Sequence, residues 1–264
     1  MKITWITSVL NDAKAVGKTK RSIRISHARA KQTLSGPIDS EHIIVDGGSK
    51  ASQIDLLETY ADAHTLVLNG PDNGIYEAWN KGLAVASGDW IGFLGAGDML
   101  LPEAERDFRL FFDMYNRQRR QAGPLELISG RVRKESSADH AQIVGGAWDW
   151  KCFRRHMNIA HVGALHSVSL FERYGCFDES FKVAGDYELL LRSGENLRAA
   201  FVDHVVATMA SGGVSQTYRS ALFRETRLAK ARHTSRPRAL LLTDDFWARS
   251  KFLVRRGLEI NGWL

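Results

Sequence analysis

The stretch that decides the fold runs Asp72-Asn73-Gly74-Ile75-Tyr76-Glu77-Ala78-Trp79-Asn80-Lys81-Gly82 and is followed by Gly92-Phe93-Leu94-Gly95-Ala96-Gly97-Asp98. A turn cluster containing an acid opens the first segment, which then takes on a helical pattern. The second segment completes an apolar run that predicts a buried strand, and Asp98 comes just after it. Carboxylates at the carboxyl ends of strands in an α/β sheet lie where such folds hold ligands. The stretch therefore indicates an enzyme that handles a charged, phosphorylated substrate.

Outward from this stretch, apolar runs alternate with segments of helical spacing. The predicted strands are 3–9, 42–45, 65–68, 90–94 and 202–208, and the predicted helices are one ending near residue 31, then 53–63, 75–86, 102–120, 167–174 and 186–194. Such alternation predicts an α/β fold with a mostly parallel central sheet flanked by helices. Residues 121–160 show no regular pattern. We expect one α/β domain at 1–215 and a basic, amphipathic helical extension at 216–264.

The charge of the chain is concentrated in that extension. Residues 216–264 carry eleven Lys/Arg against four Asp/Glu, whereas residues 1–215 carry 25 against 26. Apolar residues such as Phe246 and Trp247 are interspersed with the basic ones. The pattern suits an amphipathic helix on an anionic membrane surface, and it equally suits a helix packed against the body of the protein with a solvated charged face. Both interpretations remain open, and no nucleic-acid partner is predicted.

Composition favours a soluble protein of the cytoplasm. The hydrophobic content is 44% and the charged content 25%, which are ordinary values for a globular chain. No apolar run is long enough to cross a bilayer, and the first residues follow a strand pattern without the features of a signal peptide. The two cysteines, Cys152 and Cys176, do not form a disulfide framework. We therefore expect a cytoplasmic location, with the inner face of the membrane as a peripheral site.

Asp46 ends a buried strand and is followed by Gly47, Gly48 and Ser49. An acid in this position can accept hydrogen bonds from a nucleotide base, and the glycines let backbone approach a ligand closely. The same residues also suit an ordinary helix start, with Ser49 or Asp46 as the N-cap. On these residues alone, both interpretations stay open.

Asp98 and Asp186 also have two interpretations each. Asp98 suits a hard divalent cation that takes its other ligands from water and substrate phosphates, or it caps the helix that starts near Pro102. Asp186 suits a helix cap, or a general base that faces a cleft with Glu188 and Arg192 nearby as orienting groups.

Several other patterns in the sequence do not support a functional site. Gly17-Lys18-Thr19 resembles the end of a phosphate loop, but the glycine required five residues earlier is replaced by Asp12. The spacing of Cys152, His156, His161 and His166 matches no zinc pattern. No Gly-x-Gly-x-x-Gly or Gly-x-Ser-x-Gly occurs, so dinucleotide oxidoreductases and α/β-hydrolases lack support.

Taken in order, the motifs resemble those of the inverting glycosyltransferases of family 2, which have the GT-A fold. The likeness is to the branch that builds colanic-acid-type exopolysaccharide, and it spans roughly residues 3 to 215. The motifs that carry it are Leu10-Asn11, Val45-Asp46-Gly47-Gly48-Ser49, Asp72 to Gly82, Leu94-Gly95-Ala96-Gly97-Asp98, His161 and Asp186 to Arg192. Gly97 stands where many relatives have the first acid of an Asp-Asp pair, so Asp98 is without a neighbouring acid.

The resemblance implies a role for each matching residue. The residues implied to bind the donor, a nucleotide-diphosphate sugar, are Asn11, Asp46, Gly47, Gly48, Asp72, Gly74, Asn80 and Lys81. Asp98 is implied to bind a divalent metal, Mn²⁺ or Mg²⁺, on the donor diphosphate. Asp186 is implied to be the catalytic base that deprotonates the acceptor hydroxyl. His161, Glu188 and Arg192 are implied to lie on the acceptor side.

The sequence thus predicts a metal-dependent glycosyltransferase that moves a sugar, with inversion, to a hydroxyl of a glycan or lipid-linked acceptor. The expected setting is exopolysaccharide or cell-surface polysaccharide synthesis. A nucleotidyltransferase is an alternative, although a basic phosphate loop after the first strand would then be expected. A degenerate, non-catalytic module that binds glycan or membrane is another.

Overall fold

The computed structural model describes residues 1–118, 123–135, 142–211 and 219–260 of the chain. Within these ranges, nine strands form one sheet. The strands are β1 (Lys2–Val9), β2 (Asp39–Asp46), β3 (Thr65–Asn69), β4 (Trp90–Gly95), β5 (Met99–Leu100), β6 (Leu127–Lys134), β7 (Gln142–Val144), β8 (Ala164–Ser167) and β9 (Ala199–Met209). The α-helices are α1 (Ala13–Thr33), α2 (Ala51–Glu58), α3 (Ile75–Val85), α4 (Ala104–Gln118), α5 (Trp150–Phe153), α6 (Val168–Tyr174), α7 (Gly185–Ser193), α8 (Arg219–His233) and α9 (Arg238–Ile260).

The sheet has the strand order β3-β2-β1-β4-β8-β6-β9-β5, with β7 paired to β6. The first four strands pair in parallel, and so do β6 and β9. The pairings of β8 with β4 and β6, of β5 with β9, and of β7 with β6 are antiparallel. The sheet is therefore mixed, not mostly parallel as predicted. The antiparallel pairings involve three short strands that need no crossover helix and left no alternating pattern in the sequence.

The core lies on both faces of the sheet because alternate residues of the central strands point in opposite directions. Trp5 and Leu94 belong to a buried cluster that includes Phe108 of α4. Ile6 and Phe93 belong to the cluster on the other face, which is built with α3 and α7. Parallel strands covered on both faces in this way leave their carboxyl ends as the open edge of the sheet.

The carboxy-terminal extension contacts the rest of the chain. α8 packs against α7, and α9 packs against α8. The predicted domain boundary between residues 215 and 216 lies outside the described residues, and the division into 1–215 and 216–264 stays a prediction. No helix in the described ranges combines the length and the apolarity needed to cross a bilayer.

Candidate active site

The carboxyl ends of the four parallel strands are aligned at one edge of the sheet. Val9 pairs with Asp46, and Asp46 pairs with Asn69 on the next strand. On the other side of β1, Ser8 pairs with Gly95. Most of the predicted donor-side residues lie at or just after these strand ends, the edge where ligands bind in such sheets, whereas Asn80 and Lys81 lie within α3.

Asp46 is fully buried at this edge, and only one of its two carboxylate oxygens accepts hydrogen bonds from the protein. Its Oδ2 accepts hydrogen bonds from the backbone N–H groups of Gly48 (3.0 Å) and Ser49 (2.9 Å). Its Oδ1 has no hydrogen-bond partner among the described residues. A buried carboxylate oxygen without a partner is costly, so Oδ1 is an acceptor that a bound donor group could satisfy.

Asn11 ties the end of β1 to the turn that follows β2. Its φ of 58° lies in the left-handed region, which Asn tolerates better than most residues. Its N–H donates to the Ser49 hydroxyl (2.6 Å), and its Oδ1 accepts from the N–H of Lys50 (2.9 Å). Asn11 therefore holds the Asp46 turn in place, a contribution that does not depend on a ligand.

Gly47 and Asp72 meet where the turns after β2 and β3 approach each other. A Cβ built on Gly47 would lie 2.5 Å from Asp72 Oδ2, so any larger residue here would force this carboxylate to move. Asp72 Oδ1 accepts from the N–H of Gly74 (3.0 Å), immediately before α3 begins. Burial is the largest influence on Asp72 and raises its pKa, with Glu77 and Asp46 adding repulsion. A partly buried carboxylate in this environment favours a positively charged or hydrogen-bonding partner.

Asn80 and Lys81 of α3 are already engaged within the protein. The Asn80 side chain donates to the Phe177 carbonyl (2.9 Å) and to the Glu179 carboxylate (2.8 Å), and it accepts from the Phe177 N–H (3.1 Å). The Lys81 ammonium donates to the Pro71 carbonyl (2.6 Å) and pairs with Glu77 (2.9 Å). Asn80 thus fixes the 177–179 loop, and Lys81 fixes the turn before Asp72.

Asp98, the predicted metal ligand, is 6% exposed and sits in a backbone cradle. Its Oδ2 accepts from the Gly95 N–H (2.8 Å), and its Oδ1 accepts from the Ala210 N–H (2.9 Å). Burial raises its pKa to about 6, and the charge of Glu135 acts in the same direction. Each oxygen keeps lone-pair capacity beyond these single bonds.

The donor set around Asp98 fits only a cation that brings most of its own ligands. No group of three or more His, Cys, Asp or Glu side chains suited to a metal ion occurs in the part of the chain that the structure describes. A hard divalent cation can nevertheless be bound through one carboxylate when phosphate oxygens and waters complete its shell. Asp98 fits that arrangement.

Asp186, the predicted base, is the second residue of α7 and contacts α3. The Tyr76 hydroxyl donates to its Oδ1 (3.3 Å), and the Tyr187 N–H donates to the same oxygen (2.8 Å). A Cβ on the preceding residue, Gly185, would lie 2.8 Å from the Tyr76 ring, so glycine permits this approach. Burial raises the pKa of Asp186 to about 6, a value suited to a general base near neutral pH.

Glu188 and Arg192, predicted on the acceptor side, form a buried ion pair at the α7–α8 contact. The Arg192 guanidinium donates to both Glu188 oxygens, with its Nε 3.0 Å from each. Arg192 also donates to the carbonyl groups of Tyr174 and Cys176 (both 2.8 Å). On α8, His233 Nε2 lies 2.6 Å from Glu188 Oε1. The pair is thus committed to bracing α7, which is the usual role of a charged pair spaced by four residues.

His161, also predicted on the acceptor side, lies beneath α3. Its ring stacks on Trp79 (centroids 4.9 Å apart, planes at 16°) and on Phe93 (5.2 Å, 26°). It is 8% exposed, and burial lowers its pKa to about 3, so the ring is neutral at physiological pH. Its Nε2 has no hydrogen-bond partner among the described residues. A neutral buried imidazole can bind a hydroxyl but does not supply a charge.

Two residues of the site were not singled out from the sequence. Tyr76 lies inside the quoted motif, but nothing local shows that its hydroxyl reaches α7. Glu225 of α8 is 4% exposed and accepts hydrogen bonds from the turn before Asp186. The available signal was compositional, since Glu225 is the only acid between residues 204 and 243.

Comparisons with known proteins agree with this geometry. Residues 4–108 match the sequence profile of glycosyl transferase family 2. A PGL/p-HBAD biosynthesis glycosyltransferase of Mycobacterium bovis is 29% identical over 194 residues, which are 71% of this chain and 71% of that protein. An uncharacterized glycosyltransferase of Mycobacterium tuberculosis is 25% identical over 242 residues, which are 85% of this chain and 81% of that one.

Solved structures show the same fold at low sequence identity. S. aureus TarS 1–349 in complex with UDP-GlcNAc has a TM-score of 0.67 at 16% identity, covering 91% of this chain and 69% of that one. A mannosyltransferase from Pyrobaculum calidifontis in complex with GDP-Man and Mn²⁺ has a TM-score of 0.61 at 17% identity, covering 92% and 69%. The chain therefore has a fold resembling the GT-A glycosyltransferases, and its residues 4–108 resemble glycosyl transferase family 2. It is an enzyme of the glycosyltransferase class.

Proposed function

We propose that this enzyme transfers a sugar, with inversion, from a nucleotide-diphosphate sugar to a hydroxyl group, with Asp186 as the general base. The observation that carries the proposal is the hydrogen bond between Tyr76 and Asp186. It joins the helix that follows Asp72 to the helix that bears the base. A donor held at the strand ends and an acceptor activated at α7 would then meet in one cleft.

On the donor side, the proposal rests on unsatisfied polar capacity. Asp46 Oδ1 is buried without a partner among the described residues, and nucleotide bases carry N–H donors that such an oxygen can accept from. Asp72 lies directly beside Gly47 in the next turn. The relatives with bound UDP-GlcNAc and GDP-Man support a nucleotide-sugar donor for this chain as well.

A divalent cation, Mn²⁺ or Mg²⁺, is part of the proposal, with Asp98 as its protein ligand. When bound, such a cation neutralises negative charge on the diphosphate leaving group. The Mn²⁺ in the mannosyltransferase complex supports this choice of cofactor. Because Asp98 is a single carboxylate, we expect the cation and the donor to bind together.

On the acceptor side, Asp186 accepts the proton of the attacking hydroxyl. The oxygen then forms a bond to the anomeric carbon as the bond from that carbon to the nucleoside diphosphate breaks, and the leaving group takes the electron pair. Attack from the face opposite the leaving group inverts the anomeric configuration. A pKa of about 6 keeps Asp186 ionised at neutral pH while leaving it basic enough to take the proton.

We further propose that the acceptor is a glycan or lipid-linked intermediate of exopolysaccharide or cell-surface polysaccharide synthesis, used at the inner membrane surface. The groove between α8 and α9 supports this. Its exposed lining combines basic with apolar side chains, namely Arg224, Arg227, Arg238, Leu228 and Leu242. Phe246, one turn beyond Leu242, is 68% exposed. Basic and apolar groups side by side are what an anionic lipid surface binds.

Binding of the α8–α9 groove to a membrane can be tested by sedimentation with vesicles of phosphatidylglycerol and of phosphatidylcholine. We expect binding to the anionic vesicles only, and a loss of about tenfold or more in the double variant Leu242→Ser/Phe246→Ser, since each removes a large apolar side chain. Leu110→Ser/Met114→Ser is the matched control, because these exposed residues have the same spacing on α4. Equal binding by both double variants would exclude the groove as the contact.

The donor is tested by thermal unfolding with UDP-, GDP- and dTDP-sugars, each with and without Mn²⁺. A ligand that binds only the native state raises the unfolding temperature. We expect one nucleotide class to do so, and we expect Asp98→Ala to weaken that response at saturating Mn²⁺. An unchanged affinity in Asp98→Ala would remove it as the ligand.

Cleavage of the donor without acceptor separates the rival functions. A transferase releases a nucleoside diphosphate slowly when water replaces the acceptor. A nucleotidyltransferase would release pyrophosphate from a nucleoside triphosphate instead. A non-catalytic binding module would bind the nucleotide sugar and leave it intact.

A further inference from the structure

Glu225 is a buried acid in a basic helix. It is 4% exposed and lies on the side of α8 that faces α7. Among the described side chains, no Lys, Arg or His lies within ion-pair distance of its carboxylate. Its charge is instead met by backbone N–H groups from the turn that leads into α7.

Three consecutive N–H groups converge on this one carboxylate. Oε2 accepts from Lys182 (3.0 Å), Val183 (2.9 Å) and Ala184 (3.1 Å), and Oε1 also lies 3.1 Å from the Lys182 nitrogen. Hydrogen bonds to an ionised acceptor are about twice as strong as neutral ones. The turn at 182–184 is therefore fixed by a side chain that comes from more than 40 residues later in the chain.

That turn sets where α7 begins. Ala184 is the N-cap of α7 and provides no side-chain cap, and Asp186 is two residues further on. A carboxylate near a helix N-terminus satisfies free N–H groups and interacts favourably with the helix dipole. Glu225 accepts from the N–H of the N-cap residue, Ala184, and from the N–H groups of the two residues before it, and so fixes the chain where it enters α7.

We propose that Glu225 is a positioning residue for catalysis: it fixes the 182–184 turn and thereby holds Asp186 where it can reach the acceptor hydroxyl. This inference rests on the proposed function, in which Asp186 is the general base. Glu225 does not touch the reacting groups, and it acts through the backbone.

The influences on the pKa of Asp186 agree with a role of Glu225 in the position of that carboxylate and not in its protonation. The pKa of Asp186 is raised by burial and lowered by hydrogen bonds from Tyr187 and Tyr76. Replacing Glu225 therefore leaves the protonation of Asp186 largely as it was and moves the carboxylate instead. Misplacing a catalytic group by about 1 Å can cost about 100-fold in rate.

A brace that merely holds the extension on the protein is the alternative, and Asp244 is the control for it. Asp244 of α9 is also buried, with 8% side-chain exposure, and it pairs with Arg236 (2.9 Å) and Lys230 (3.6 Å). Among the described residues, no hydrogen bond or ion pair joins Asp244 to the 182–184 turn. Asp244→Asn thus removes a buried charge from the extension without touching the turn before α7.

The test compares donor cleavage by water in Glu225→Ala, Glu225→Gln and Asp244→Asn, using UDP-GlcNAc and GDP-Man with Mn²⁺ as probes. We expect Glu225→Ala to lower kcat about 10- to 100-fold, with the donor KM within about twofold of wild type. Glu225→Gln keeps one oxygen acceptor, so its kcat should lie between those of Glu225→Ala and wild type. Asp244→Asn should lower the unfolding temperature with a much smaller change in kcat.

The acid limb of the pH profile should keep its midpoint in Glu225→Gln, since position and not protonation changes. In an Asp186→Asn background, adding Glu225→Ala should slow the residual rate no further, because the group being positioned is already absent. An additional loss equal to that in wild type would overturn the inference. So would equal kcat values in Glu225→Gln and Asp244→Asn.

Failure of the base assignment would look different. If Asp186→Asn keeps the wild-type kcat, the base is misassigned and the role of Glu225 falls with it. If Asp186→Asn is inactive while both Glu225 variants behave like Asp244→Asn, only the positioning role is wrong. Should Glu225→Ala fail to fold, Glu225→Gln carries the comparison alone.

Discussion

The donor edge of the sheet and the first turn of α7 both present a buried acid, but the chain holds these acids in different ways. Asp46 and Asp72 accept hydrogen bonds from backbone groups two or three residues ahead. Asp186 accepts from the adjacent Tyr187 N–H and also from Tyr76, which lies 110 positions earlier. The acids of the proposed donor edge are thus held by turns that Asn11 ties together, whereas the proposed base also depends on a side chain from a distant helix.

This difference has a physical consequence for what each region tolerates. A turn stabilised by its own backbone depends mainly on residues that allow the turn, so its sensitive positions are glycines and short polar residues. A side chain placed by tertiary contacts depends on every element that carries a partner. We therefore expect donor binding and catalytic rate to respond to different substitutions.

Asp186→Asn should produce the largest effect. It keeps the shape of the side chain but removes the proton acceptor, so kcat should fall about 100- to 10,000-fold, the usual contribution of a general base. Donor binding, measured by thermal shift with Mn²⁺, should stay within about twofold. A parallel loss of donor affinity would break the separation between the two regions.

Gly47→Ala should have the next largest effect, on the donor side. The new Cβ would lie 2.5 Å from Asp72 Oδ2, and the carboxylate would have to move. We expect donor KM to rise about tenfold, equivalent to about 1.4 kcal/mol, while kcat at saturation changes little. Isothermal titration with the responsive nucleotide sugar measures this, and unaltered affinity would argue that Asp72 is not at the donor.

Tyr76→Phe should lower the rate a few-fold and shift its pH dependence. The Tyr76 hydroxyl stabilises the ionised form of Asp186, so its removal raises the pKa of that carboxyl further. A base must be deprotonated, and the rate falls as pH drops through its pKa. The acid limb, expected near pH 6 in the wild type, should therefore move to higher pH. A shift to lower pH would contradict the assigned hydrogen bond.

The last effect concerns stability and not rate or affinity. The folded-state pKa of Asp186 is about 6, above the ordinary value of 3.8, so the folded protein binds the proton more tightly than the unfolded chain. Wild-type stability attributable to this group is full below about pH 4 and is lost as pH rises through 6. Asp186→Asn should therefore be more stable than wild type at pH 7.5, by up to about 3 kcal/mol, and the gain should vanish near pH 4.

The same contrast explains which parts of the structure the sequence predicts. α3 (Ile75–Val85) and β4 (Trp90–Gly95) match their predicted bounds within a residue or so, because their turn and apolar patterns lie within single segments. β6 (Leu127–Lys134) was missed. It is buried between two other strands, yet Gly130, Arg131 and Arg133 disrupt its apolar pattern.

The site residues divide along the same line. The burial of Asp46 and Asp98 was predictable from their positions at the ends of apolar runs. The spacing of Glu188 and Arg192 suits a pair within one helix, but the further contacts of Arg192 with the Tyr174 and Cys176 carbonyls and of Glu188 with His233 could not be predicted from that spacing. The role of Glu225 was not predictable either, since no spacing rule links residue 225 to residues 182–184.

The hydrogen bonds from the 182–184 turn to Glu225 also determine the order in which parts of the site can form during synthesis. A ribosome adding about 5–20 residues per second completes the strands of the donor edge roughly 6–25 s before Glu225 emerges, given the 127 positions between Asp98 and that residue. Until then, the N–H groups of the turn before Asp186 lack the Glu225 carboxylate as their acceptor. We therefore expect a nascent or truncated chain to form the proposed donor edge before the proposed base is ordered.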